Sequence, residues 1–227
     1  MNRSSRCAIL LLGCALPALV LAHGVSSRDA SFVTAVQGVN FGPFAYLGAK
    51  HMVTGYDHLA FLAGVIFLLY RLRDVALYAS LFALGHSITL LYAVMSGTHV
   101  NPFIIDAIIG LSVVYKALDN LGAFTRLLGY QPNTKLAVWI FGLFHGLGLG
   151  TKLQDFSLSA DGLVPNILAF NVGVELGQVM GLCVILIAMG FWRRSSGFDR
   201  HAFAANVIVM TCGFILAGYQ LVGFATS

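Results

Sequence analysis

Six apolar runs, near 44–70, 75–95, 101–119, 135–152, 166–192 and 201–224, divide most of this chain, and short polar stretches marked by glycine or proline separate them. A run of about 20 apolar residues is long enough, as a helix, to cross the roughly 30 Å hydrocarbon core of a bilayer. The pattern predicts an all-α fold: one polytopic membrane bundle of about six transmembrane helices over residues 43–227. Ahead of it, Arg3 and Arg6 precede an apolar stretch from Ala8 to Leu21 that ends in the small residue Ala22, which reads as a cleaved signal peptide over 1–22. An uncleaved first helix and lipoprotein processing at Cys14 are the competing readings of that segment. Residues 23–42, with Ser26, Ser27, Arg28 and Asp29, read as a short arm outside the membrane.

Composition strengthens the membrane reading. The chain is 58% hydrophobic and only 10% charged, with a mean hydropathy of +0.85, whereas an average soluble domain has about 25% charged residues. The net charge of +4 does not point to nucleic acid, because the basic residues sit singly or in pairs at the ends of apolar runs. With the N-terminus outside, Arg71, Arg73, Lys116, Arg126, Lys135, Arg193, Arg194 and Arg200 fall on the inner side and only Arg28, Lys50 and Lys152 on the outer. That asymmetry matches the positive-inside rule and puts Ser227 outside as well. The longest inner loop is expected over 120–133. Cys7 and Cys14 lie in the segment expected to be removed and Cys183 and Cys212 inside predicted spans, so no disulfide framework is legible.

Against this background the polar residues within the runs stand out, since ionisable groups in a bilayer are costly. The first run carries His51, Asp57 and His58, the second His86 with Ser87 and Thr89, the third Asp106, the fourth His145, and the fifth Asn171, Glu175 and Gln178. Asn171, Glu175 and Gln178 follow helical spacing and form one stripe. His51 and His58 also share a face, but on a regular helix seven residues separate them by roughly 10 Å. They hold one ion only if the helix breaks near Gly55; otherwise they are successive stations on a path. Imidazole with carboxylate support favours a divalent transition metal, and the lack of thiolates argues against Cu(I) and iron–sulfur clusters. Each of these residues taken alone also fits a plain interhelical hydrogen bond, worth about 0.6 kcal/mol. His99 and His201, at helix ends, are expected to be solvated, and Lys116 to reach toward the inner interface. The ladders Gly142-xxx-Gly146-xxx-Gly150 and Gly173-xxx-Gly177-xxx-Gly181 let backbones approach closely and are expected to bring His145 near Glu175.

Four motifs in order, His51-x5-Asp57-His58, Gly85-His86-Ser87-x-Thr89, Phe141-Gly-x-x-His145-Gly-x-Gly148 and Phe170-Asn-x-Gly-x-Glu175-x-Gly-Gln178, resemble the second branch of the HupE/UreJ family of bacterial membrane proteins. The resemblance implies a nickel or cobalt permease of the bacterial inner membrane, where the charge asymmetry above makes both mature termini periplasmic. It implies metal-pathway roles for His51, Asp57 and His58, with His86, His145, Asn171, Glu175 and Gln178 as further metal-site candidates. In the better-studied branch the fourth-helix motif reads Phe-His-Gly-x-Ala-His-Gly-x-Glu; here Leu149 replaces the second histidine and Lys152 the glutamate, so Glu175 is the candidate for the missing ligand. Cleavage after Ala22 makes His23 the mature N-terminus, where the terminal amine and imidazole together can chelate Ni(II) or Cu(II). The expected partners are the transported ion and the lipid bilayer, with no nucleic acid and no tightly bound cofactor; a homo-oligomer or an energising partner stays open. Two other functions fit the residue types: a zinc-dependent intramembrane hydrolase with Glu175 as general base, and a bis-histidine haem protein. The first lacks an HExxH pair, and no Walker A loop is present.

Overall fold

A computed structural model of the chain describes residues 37–154 and 161–227, and within them every regular element is helical. The signal-peptide reading of 1–22, His23 and most of the arm fall outside the described residues. The helices are α1 (Phe41–Thr54), α2 (Tyr56–Ile66), α3 (Leu72–Ser96), α4 (Pro102–Asn120), α5 (Ala123–Leu128), α6 (Thr134–Gln154), α7 (Leu163–Arg193) and α8 (Phe198–Thr226). Four segments are long and apolar enough to cross a membrane: Leu72–Ser96, Thr134–Gln154, Leu163–Arg193 and Arg200–Thr226. The first expected span is two helices instead of one, and α4 carries Asp106, Lys116 and Asp119 within 19 residues. The inner stretch expected to be loop contains the short helix α5, none of whose residues is buried.

The bundle has a largely apolar core that also encloses polar side chains, and its outer face is apolar. Its interior holds His58, His86, Asp106, Lys116, His145, Asn166, Asn171, Gln178 and Asn206, while Leu84, Ile88, Val172, Leu176, Val184 and Phe203 face outward. Three helix pairs carry the architecture, α1 with α7, α3 with α6, and α4 with α8. Glycine makes each pair possible. A Cβ on Gly173 would lie 1.9 Å from the Ala45 carbonyl oxygen, one on Gly146 would lie 2.0 Å from that of His86, and one on Gly110 would lie 2.8 Å from the Ala217 nitrogen. The two ladders therefore do not face each other: 142/146/150 packs on α3, and 173/177/181 packs on α1 and α2. The expected pairing of His145 with Glu175 gives way to His145 beside α3, because each ladder takes the nearest backbone groove rather than the other ladder.

The short helix α2 occupies the middle, with Phe61, Leu62, Val65 and Ile66 buried. Its last carbonyls have no partner within the helix. Arg193 Nη2 on α7 donates to the carbonyls of Ile66 at 2.5 Å and Phe67 at 2.7 Å, and Asn120 Nδ2 on α4 donates to the Gly64 carbonyl at 2.9 Å. At the opposite end, the Asn40 N–H donates to Asn166 Oδ1 (2.7 Å) and Asn166 Nδ2 to the Gly38 carbonyl (2.9 Å), which clasps the starts of α1 and α7. Lys116 is buried and pairs with Asp119 one turn on. His99 and His201 are exposed, as expected of helix ends.

Candidate metal centre

The break between α1 and α2 sets the geometry of the site. Gly55 has φ −76° and ψ 88°, outside the helical region, so the chain turns there and α2 starts afresh at Tyr56. A continuous helix would hold His51 and His58 roughly 10 Å apart; with the break their ring centroids are 5.2 Å apart. His86 enters from α3. One ligating atom each from His51, His58 and His86 lies within 4.8 Å of the others. A tetrahedral ion with bonds of about 2.1 Å separates its donors by roughly 3.4 Å, so side-chain rotations of about an ångström bring the three nitrogens to bonding geometry.

His145, on α6, adds a fourth ring, its centroid 4.8 Å from that of His58. Its Nδ1 lies 2.7 Å from the Phe141 carbonyl oxygen. A carbonyl can only accept, so Nδ1 carries the proton and the lone pair resides on the buried Nε2. Exposure is 2% for His58, 0% for His86 and 1% for His145. Both ring nitrogens of His86 are buried with no hydrogen-bond partner among the described residues, a costly state for a polar ring. Its sequence neighbours explain how it is held: a Cβ on Gly85 would lie 2.5 Å from the Trp139 carbonyl, and Thr89 Oγ1 donates to the Leu143 carbonyl at 2.6 Å. The Gly-His-Ser-x-Thr motif thus docks α3 on α6 and leaves His86 between them.

Asp57 is the second residue of α2, directly before His58, and its side chain falls outside the described set. The α7 candidates sit elsewhere. Glu175 is exposed and lines two grooves between α3 and α7, one with Ser80 and Gln178, the other with Ser87 and Asn171. Gln178 Nε2 donates to the Ala79 carbonyl at 2.9 Å, an interhelical bond. The predicted stripe on α7 is therefore one face, turned to a groove beside the histidine cavity. That cavity is lined by His51, His58, His145, Asp106, Ile109, Gly148, Leu149 and Lys152, with no place in it for Glu175. Lys152, counted in the sequence only as an outer-side charge and as the residue in place of a glutamate, has its Nζ 2.9 and 3.1 Å from the Asp106 carboxylate oxygens. The legible signal was Asp106 itself, a carboxylate inside an apolar run; its partner was not legible.

The Gly55 break is testable. Alanine favours helix over glycine by about 1 kcal/mol, so Gly55→Ala biases 41–66 toward one continuous helix that separates His51 from His58. Metal titration of the purified variant is expected to give about fivefold weaker binding, the equivalent of that energy. Unchanged affinity would detach the break from the site.

No curated protein and no solved structure matches this chain. The profile of the HupE / UreJ protein family matches residues 27–227, a stretch that holds all the histidines of the cavity and every helix around it, and the chain belongs to that family.

Proposed function

We propose that this protein is a membrane permease for a divalent transition metal ion, nickel or cobalt first among them, with the ion as substrate rather than resident cofactor. The convergence of His51, His58 and His86 within 4.8 Å inside an apolar bundle carries the reading. Neutral imidazoles suit Ni(II) and Co(II), and a set without thiolates releases an ion more readily than a structural zinc site would. The family is linked in general to nickel and cobalt transport, which supports the same choice. In this reading the chain makes six passes through the bacterial inner membrane with both mature termini periplasmic, and Asn171, Glu175 and Gln178 line a second stretch of the path beside the cavity. His23 captures the ion outside once the signal peptide is removed.

The hydrolase reading has no such support. Its general base, Glu175, lines the α3–α7 groove and not the histidine cavity. Cells carrying the chain are expected to accumulate radiolabelled Ni(II) or Co(II) several-fold above cells without it, with Cu(II) and Zn(II) as comparison ions. Equal accumulation of all four ions with and without the chain would end the permease reading.

A further inference from the structure

Asp106 and Lys152 form an ion pair inside the wall of the histidine cavity, and neither is needed to explain the histidines. Asp106 is buried on α4, and Lys152 is partly buried, its side chain 18% exposed, two residues before the end of α6. The contact depends on close packing, since a Cβ on Gly148 would lie 2.7 Å from Ile105 Cγ2. Both residues line the cavity with His51, His58 and His145. We propose that Lys152 is a built-in counter-cation: it occupies the Asp106 carboxylate while the cavity is empty and is displaced by the incoming divalent ion, which then takes Asp106 as its carboxylate ligand. The proposal rests on the metal-permease reading and adds the ligand and the gate to it.

Charge decides the exchange. A buried carboxylate without a partner is costly, so the empty cavity needs one cation, and the ammonium supplies it. A divalent ion brings two charges and also satisfies the imidazoles, which an ammonium cannot do because it has only donors. The lysine has somewhere to go: near the helix C-terminus its stem can swing to the surface, where the helix dipole favours a cation. The ammonium moves outward as the ion moves in, and no bond other than metal–ligand contacts is made.

The test is calorimetric titration of the detergent-purified full chain with Ni(II) and, separately, Co(II). Lys152→Met removes the competitor and leaves the ligand, so affinity is expected to rise by about tenfold or more. Asp106→Asn removes the ligand and is expected to weaken binding by about tenfold. On the Asp106→Asn background, Lys152→Met gives no gain. A purely structural clamp predicts the reverse sign, with Lys152→Met weakening binding or leaving it unchanged; either result overturns the proposal. Should Lys152→Met not fold, Lys152→Gln in membranes provides the same comparison, and its metal-induced thermal shift must exceed that of the wild type. His58→Ala separates the two levels: binding lost in that variant with no gain in Lys152→Met leaves the permease reading standing and removes the gate. A wild-type chain that binds neither ion removes both.

Discussion

Replacing His58 with alanine is expected to abolish nickel and cobalt accumulation while the protein stays in the membrane. His58 is the common neighbour of the cluster, its ring centroid 5.2 Å from His51, 6.1 Å from His86 and 4.8 Å from His145. Removing it deletes one ligand and also the ring that spaces the others. Loss of a supporting group around a metal commonly costs 10- to 100-fold in affinity, so loss of a central ligand is expected to cost about 100-fold or more. The fold should survive, because α2 is held by Phe61, Leu62, Val65 and Ile66 and by the Arg193 and Asn120 contacts at its far end. Uptake of labelled ion is measured beside the amount of protein in the membrane fraction. Wild-type uptake by His58→Ala would exclude the cavity as the route.

Much of the site was legible because membrane chemistry makes ionisable residues conspicuous. His51, His58, His86 and His145 announce themselves in apolar runs: ligating atoms of the first three lie within 4.8 Å of one another, and His145 lines the same cavity as His51 and His58. What sequence could not supply is rotation about each helix axis. Spacing fixed Asn171, Glu175 and Gln178 to one face of α7, but which neighbour that face meets depends on the packing of Gly173 and Gly177 against Ala45 and Ala49 on α1. That packing turns Glu175 to α3 and away from the histidines. Gly55 posed a different difficulty: glycine is tolerated inside membrane helices and also at breaks, so its role is decided by the helices around it. The Asp106–Lys152 pair joins residues 46 apart on different helices, and no local pattern encodes such a meeting.

The same dependence of site on packing makes Gly146 a sensitive position outside the histidines. In Gly146→Ala the new Cβ would lie 2.0 Å from the His86 carbonyl oxygen and 2.5 Å from Thr89 Oγ1. A rotating side chain can yield to such a contact, but the backbone carbonyl of a neighbouring helix cannot, so α3 and α6 must separate. Separation stretches the Thr89 to Leu143 hydrogen bond and carries His86 away from His51 and His58. Overpacking of this kind typically costs about 1–3 kcal/mol, and a backbone clash belongs at the upper end of that range. Gly146→Ala is therefore expected to lower the thermal midpoint of the metal-free protein by several degrees and to weaken metal binding in the molecules that remain folded. Gly190→Ala on α7 and Gly218→Ala on α8 meet nothing within 4 Å and serve as matched controls, expected to leave metal binding unchanged and, since alanine favours helix, to hold or raise the thermal midpoint. If Gly146→Ala behaves like these two, the close α3–α6 contact does not position His86. If it loses metal affinity beyond what its stability loss explains, the glycine ladder is part of the metal site without touching the ion.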